Sequence, residues 1–104
     1  MASYLGFPDA GLATAKQLGK PLIECFREFY ADTALSGGRA GTVCGLDFFG
    51  VDRSLFATDA PFGPEGGRAF MRATIDVINS LDISAADKSK IFKGNAEALF
   101  KLKV

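Results

Sequence analysis

The chain has 104 residues, enough for one small domain, and its 48% hydrophobic and 23% charged residues are typical of a soluble globular protein. Twelve basic and twelve acidic residues give a formal net charge of zero, which argues against a nucleic acid or an anionic membrane as a partner. The sequence contains no histidine, so the commonest general base and the commonest metal ligand are both missing.

The sequence shows no signal that would direct the chain out of the cytoplasm. No apolar run approaches the roughly 20 residues that cross a bilayer, and the amino terminus has no basic region followed by an apolar core. Cys25 and Cys44 match no zinc-binding or redox spacing, so we expect two reduced, partly buried thiols in a cytoplasmic protein.

The first third of the chain predicts two short helices and a strand. Residues 1–20 are the least informative part, although Ala10–Leu18 can form a short helix. A proline suits the first position of a second helix, which we place at Pro21–Glu28. The aromatic and β-branched residues of Phe29–Ala34 favour a strand.

The middle of the chain predicts a helix followed by a second strand. Apolar residues at helical spacing indicate a helix over Ala40–Phe49, and Gly50 is a natural stop for it. The short apolar run Ser54–Thr58 is long enough for a buried strand. Strand, helix and strand within about thirty residues match one βαβ unit, so we predict an α/β fold with a parallel strand pair.

The last third predicts helices only. The best-defined helix, Gly67–Leu81, has a 3.6-residue apolar period. Its apolar stripe consists of Phe70, Met71, Thr74, Ile75, Ile78 and Leu81. Ser84, with Asp87 three residues later, resembles a capping box that starts another helix. Gly94 would end that helix, and Asn95 would cap the last one.

Asp59 is the first candidate functional residue because it follows the second predicted strand and precedes Pro61, which keeps the chain out of helical geometry. In parallel α/β folds the carboxyl ends of strands carry the chemistry. Asp59 could bind a divalent metal or take a proton, or it could simply be a turn residue. Asp32 holds the comparable place after the first strand, where it could instead cap the following loop. We expect Thr33 and Thr58 to satisfy backbone groups.

Two glycine-rich loops precede predicted helices, at Gly37–Gly41 and Gly63–Gly67. Neither has the glycine spacing of a phosphate-binding fingerprint, so ordinary loop geometry explains them better than anion binding. The phenylalanines at Phe26, Phe29 and 48–49 are expected in the hydrophobic core, not in a cofactor site.

The order and spacing of four segments resemble an amidohydrolase-related family that includes the aminocarboxymuconate-semialdehyde and resorcylate decarboxylases. These segments are Phe29–Ala34, Gly45–Gly50, Leu55–Phe62 and Gly94–Ala96 with Leu99, within a resemblance that covers about Pro21–Leu102. Each segment alone would be a weak signal, but their combined order is fairly specific.

The resemblance implies a distorted (β/α)8 TIM barrel with one divalent metal, usually zinc or manganese. Phe29–Ala34 would be the seventh strand and Leu55–Thr58 the eighth. Asp59 would then be a metal ligand and catalytic residue, and Asp32 and Phe62 would line the substrate pocket. The family's substrates are small carboxylated or cyclic molecules that are decarboxylated, or hydrolysed by a metal-activated water.

The chain departs from this family in two respects. The family's metal-binding histidines are missing, and an eight-stranded barrel needs roughly 200 residues or more. We therefore expect residues 1–104 to be the carboxyl-terminal part of such a barrel, with its last two parallel strands and flanking helices, and not to bind the metal alone. Alternatives are a truncated product that no longer catalyses, or a piece that docks onto other chains supplying the missing barrel. A further alternative is a non-catalytic module that binds itself or a partner through exposed apolar surface.

Overall fold

The structure, a computed structural model, describes residues 8–103, with side chains described from residue 11. The α-helices are α1 (Pro8–Leu18), α2 (Leu22–Arg27), α3 (Arg39–Phe49), α4 (Arg68–Ser80), α5 (Ala85–Ser89) and α6 (Asn95–Phe100). The strands are β1 (Ala31–Asp32) and β2 (Ser54–Leu55). Short 3-10 turns cover Val51–Arg53 and Pro64–Gly67, and a π-helical turn covers Lys90–Gly94.

The two strands pair in parallel, with Ala31 opposite Ser54 and Asp32 opposite Leu55. This confirms an α/β fold with two parallel strands joined through a helix. Each strand has only two residues, so the expected lengths of six residues for the first strand and five for the second were wrong. Phe29 N still donates to Phe26 O over 3.2 Å, so the turn that ends α2 extends into the segment predicted as strand.

The centre of the described core lies beneath α4. Ile78 is fully buried, and Leu81 and Ile91 are 6% and 1% exposed, which makes them the buried hydrophobic residues of the described chain. Thr74 is also buried, and the cost of burying its hydroxyl is offset because the hydroxyl donates to Phe70 O over 2.8 Å, inside its own helix. The predicted apolar stripe is confirmed at Thr74, Ile78 and Leu81, although Met71 is 38% exposed.

The carboxyl-terminal helices differ from the sequence prediction at one junction. Ser84 accepts a hydrogen bond from Asp87 N at 3.0 Å, which confirms the predicted cap. Gly94, however, has helical dihedral angles, and the chain continues through the π-helical turn into α6. Asn95 therefore does not cap a helix, and its buried side chain bonds to β2 and the preceding turn instead.

Many large apolar side chains of the described residues remain exposed. Phe26 and Phe29 are 42% and 62% exposed, so the prediction that they belong to the core was wrong. Their rings lie 6.3 Å apart on the surface. Cys25 and Cys44 are free thiols, but Cys44 is exposed on α3, contrary to the expectation that both are partly buried. Among the helices of residues 8–103, none combines the length and apolar content needed to cross a membrane.

Candidate functional site

Asp59 follows β2 after a segment of three residues and is exposed to solvent. Its backbone has a φ of 64°, in the left-handed region that aspartate tolerates better than most residues. Its carbonyl accepts a hydrogen bond from Phe62 N at 3.0 Å, across the cis peptide bond between Ala60 and Pro61. Asp59 therefore lies where the sequence predicted, beyond the carboxyl end of a parallel strand.

The segment between β2 and Asp59 is held on the β1 side by Thr33. The Thr33 hydroxyl donates to Ala57 O over 2.9 Å and accepts from Ala57 N over 3.0 Å. Thr33 is 3% exposed, so water does not compete for these bonds. The expectation that Thr33 satisfies backbone groups is therefore confirmed.

The opposite edge of β2 is held by the carboxyl-terminal helices. Successive strand residues direct their backbone groups to opposite edges, so Ser54 and Phe56 face away from β1. The Asn95 amide donates to Ser54 O over 2.9 Å, and Phe56 N donates to Ile91 O over 3.0 Å. Sequence reasoning missed this role, although Asn95 lies four residues after apolar Ile91 and hence on the same helix face.

The loop after Asp59 packs closely against the turn before α4. Gly67 has a φ of 89°, and a Cβ added there would lie 3.0 Å from both Cα and Cβ of Ala60. A Cβ at Gly63 would lie 2.3 Å from the Phe70 ring. Glycine is required at these positions by conformation and close approach, which agrees with the interpretation of this loop as ordinary loop geometry.

The other two candidate residues do not share a pocket with Asp59. Asp32 is exposed, and its Oδ1 accepts from Ala34 N over 2.9 Å, as a residue capping a turn does. The small cleft beside Asp32 runs between β1 and α3 and includes neither Asp59 nor Phe62. Phe62 is 70% exposed. The described residues thus place all three side chains on the surface without enclosing a substrate.

The described residues alone do not fit a complete metal site. Among residues 8–103 there is no group of three or more histidine, cysteine, aspartate or glutamate side chains that could hold a metal ion. A zinc ion takes at least three protein ligands, so Asp59 can act only as one ligand among several. The remaining ligands would have to come from outside this part of the chain.

An exposed ion pair joins the turn before β2 to the π-helical turn. Lys90 Nζ lies 2.9 Å from Asp52 Oδ1, beside the turn that leads into β2. The hydrogen bond with Asp52, together with its negative charge, raises the pKa of Lys90 above the ordinary value. This pair lies on the amino-terminal side of β2, at the opposite end from Asp59.

Comparison with known proteins relates the whole arrangement to one family. The family model described as Amidohydrolase matches residues 14–102. A 2,6-dihydroxybenzoate decarboxylase from Rhizobium is 31% identical with a TM-score of 0.62, over 79% of this chain and 24% of that one. A 2,6-dihydroxybenzoate decarboxylase in complex with 2,6-dihydroxybenzoate gives 31% identity and a TM-score of 0.61, with the same 79% and 24% coverage.

A third solved structure is a dihydroxybenzoic acid decarboxylase from a Polaromonas species with bound manganese and the inhibitor 2-nitroresorcinol. It is 34% identical with a TM-score of 0.63, and the match covers 80% of this chain and 24% of that one. The chain thus spans about a quarter of the length of these solved proteins. A search of curated proteins found no match.

The family match extends over most of the chain and agrees with the likeness to solved decarboxylases. The resemblance noted from the four sequence segments is thereby confirmed. The chain belongs to the amidohydrolase family.

Proposed function

We propose that residues 1–104 supply the last two strands of a (β/α)8 barrel in a metal-dependent decarboxylase or hydrolase of this family. The observation that carries the proposal is the exposed Asp59 carboxylate beyond the carboxyl end of β2. In barrel enzymes, catalytic and binding groups lie at this end of the strands. The substrate would be a small carboxylated or cyclic organic molecule, because the matched solved proteins are dihydroxybenzoate decarboxylases.

Asp59 would contribute one ligand to a divalent metal, manganese or zinc. Support comes from the manganese bound in the Polaromonas decarboxylase and from the oxygen donor that a carboxylate offers. A metal bound there would polarise a substrate oxygen or activate a water molecule. Asp32 and Phe62 would line the substrate pocket, since Asp32 ends β1 and Phe62 follows β2, and the carboxyl ends of parallel strands lie at the same edge of a sheet.

The other ligands and the rest of the barrel would come from additional polypeptide. The chain contains no histidine and spans 24% of the matched decarboxylases, so it holds too few ligands and strands alone. The exposed side chains of Phe29 and Phe62, which are 62% and 70% accessible, would be covered in that assembly. We therefore expect the isolated chain to be catalytically inactive.

Co-expression tests this assignment. The full chain is produced together with the Polaromonas decarboxylase lacking the quarter that this chain matches, and the purified complex is assayed for manganese and for release of carbon dioxide from 2,6-dihydroxybenzoate. We expect stoichiometric metal and measurable decarboxylation. Asp59→Asn should remove both, because the amide loses the negative charge that binds the cation.

Asp76→Asn serves as the matched control, since Asp76 is an exposed aspartate on α4. This variant should keep the metal and the activity of the parent complex. A complex that loses no metal on Asp59→Asn would contradict the assignment of Asp59, and a failure of the two polypeptides to associate would contradict the barrel assignment.

A second candidate function is a non-catalytic module that self-associates. The exposed apolar side chains favour it, because patches of this kind mark interaction surfaces. They include Leu12, Leu18, Phe29, Tyr30, Phe62, Phe100 and Leu102. Sedimentation velocity of the isolated chain discriminates between the two functions. The measurement is repeated after the truncated decarboxylase is added. A homo-oligomer that persists and does not bind the decarboxylase supports the module, whereas a homo-oligomer that dissociates to form the complex supports the enzyme.

A further inference from the structure

Resting on the proposed role of Asp59, we infer that Thr33 is its positioning residue. Backbone pairing between the strands stops before Ala57. The side chain of Thr33 instead fixes the segment that leads from β2 to the proposed metal ligand. Thr33 is buried and directly follows β1. Its hydroxyl contacts Ala57, so any effect of Thr33 on Asp59 passes through the backbone of Ala57.

The regular ladder between the two strands stops at one bond. Thr33 N donates to Leu55 O over 3.0 Å, which continues the parallel register beyond Asp32. The next bond of a parallel ladder would run from Ala57 N to Thr33 O. That carbonyl instead accepts a hydrogen bond from Leu35 N at 2.7 Å, in the tight turn that leaves the sheet.

The Thr33 hydroxyl takes over the missing position. It accepts from Ala57 N at 3.0 Å and donates to Ala57 O at 2.9 Å, so it satisfies both backbone groups of one residue. A hydroxyl can do both with a single atom, because it has one O–H donor and two acceptor lone pairs. Thr58 alone separates this double contact from Asp59.

The contact between Thr33 and Ala57 holds one edge of the segment that precedes Asp59, and the carboxyl-terminal helices hold the other edge. Phe56 N is bound to Ile91 O at 3.0 Å on the far edge, and Ala57 is bound to Thr33 on the near edge. Removing the hydroxyl would leave the groups of Ala57 unpaired and release the near edge. Groups hydrogen-bonded directly to a metal ligand affect metal affinity by about 10- to 100-fold. Thr33 acts through the backbone of Ala57, so we expect its effect to lie at the lower end of that range.

The test uses the complex of the full chain with the truncated Polaromonas decarboxylase and measures Mn²⁺ affinity by electron paramagnetic resonance. Thr33→Val keeps the shape but removes the hydroxyl, and we expect it to weaken Mn²⁺ binding by about 10-fold. Thr33→Ser keeps the hydroxyl and should restore affinity to near that of the parent. Thr42→Val is the control, because Thr42 is also buried and also donates to a carbonyl at 2.9 Å, but within its own helix.

A second measurement follows the geometry without the metal. Amide hydrogen exchange at Ala57 should accelerate in Thr33→Val and stay slow in Thr33→Ser and Thr42→Val. If Thr33→Val does not fold, Thr33→Cys replaces it, since a thiol is a weak donor and acceptor of similar size, and an intermediate loss of affinity is expected.

The inference is overturned if Thr33→Val binds Mn²⁺ as the parent does, if Thr33→Ser is as weak as Thr33→Val, or if Thr42→Val is equally weakened. Asp59→Asn separates this failure from that of the proposed function. Loss of Mn²⁺ in Asp59→Asn without loss in Thr33→Val defeats the positioning role alone, whereas full affinity in Asp59→Asn defeats both.

Discussion

The side-chain amide of Asn95 donates to the backbone carbonyl of Ser54 over 2.9 Å, although the two residues lie 41 positions apart in sequence. The same amide nitrogen donates to Val51 O over 2.6 Å. Both Asn95 and Ser54 are buried, so one side chain closes the outer edge of β2 and joins the carboxyl-terminal helix to the strand that leads to Asp59.

Replacing Asn95 should therefore destabilise the fold. Asn95→Ala leaves the buried carbonyl of Ser54 and the partly buried carbonyl of Val51 without this donor, and an unsatisfied buried group typically costs about 1–3 kcal/mol. Urea unfolding measures the change. Asn79→Ala, at an exposed position on α4, is the control and should change stability by less than about 0.5 kcal/mol. Equal effects of the two variants would contradict the role of the Asn95 bonds.

Two glycine substitutions should change the stability of the fold in opposite directions. Gly67→Ala meets Ala60 at 3.0 Å and requires a positive φ, so we expect a loss of about 1–3 kcal/mol. Gly45→Ala lies inside α3 with no atom within 4 Å of the added methyl group, so we expect a gain of roughly 0.5–1 kcal/mol from helix propensity. Thermal unfolding of both variants checks the signs, and destabilisation by Gly45→Ala would show that α3 is more tightly surrounded.

The cap of α5 gives a smaller and more local prediction. Ser84→Ala removes the acceptor of the Asp87 N–H bond and should cost about 0.5–2 kcal/mol, whereas Ser84→Gly should cost only a few tenths. Chemical denaturation of the two variants provides the comparison. If alanine and glycine were equivalent here, the side-chain cap would contribute nothing to stability.

The pair of Lys20 and Glu28 predicts a pH dependence of known sign. The hydrogen bond from Lys20, followed by its positive charge, lowers the pKa of Glu28 below the ordinary value of 4.5. A lowered carboxyl pKa means that the pair stabilises the fold above the pKa of the unfolded state. That stabilisation is lost as the pH falls through the lower, folded-state pKa.

Lys20→Met should move the pKa of Glu28 back towards 4.5, which a titration of the side-chain carboxyl by NMR measures directly. Because both side chains are exposed, the effect on overall stability should be small and should decrease with added salt. Lys103→Met, at another exposed lysine, is the control and should leave the titration of Glu28 unchanged.

The helices were the part of the fold that local sequence predicted best. The apolar periods placed α3 at Ala40–Phe49 and α4 at Gly67–Leu81, against observed bounds of Arg39–Phe49 and Arg68–Ser80. A helix satisfies its own backbone within the segment, so its limits depend on neighbouring residues and can be inferred from them. Ser84 was predicted as a cap for the same reason.

The strands were predicted in place but not in length. Each strand pairs over two residues only. The Asp32 carboxylate accepts a hydrogen bond from Ala34 N in the turn that ends β1, and the Thr33 hydroxyl replaces the next ladder bond. The sequence also placed Asp59 after the second strand, and the structure agrees. The structure does not bring Asp59, Asp32 and Phe62 into one enclosed pocket, because each of these side chains is exposed and the cleft beside Asp32 includes neither of the others.

By itself the sequence determined α3 and α4, the parallel α/β class and the position of Asp59 beyond a strand, since these follow from periodicity, turn chemistry and chain order. Only the tertiary structure decided that Asn95 binds β2 instead of capping a helix, that Thr33 holds Ala57, and that Phe26 and Phe29 are exposed. Those features depend on which distant groups meet across the fold, and a side chain's partner at long range is not encoded in its immediate neighbours.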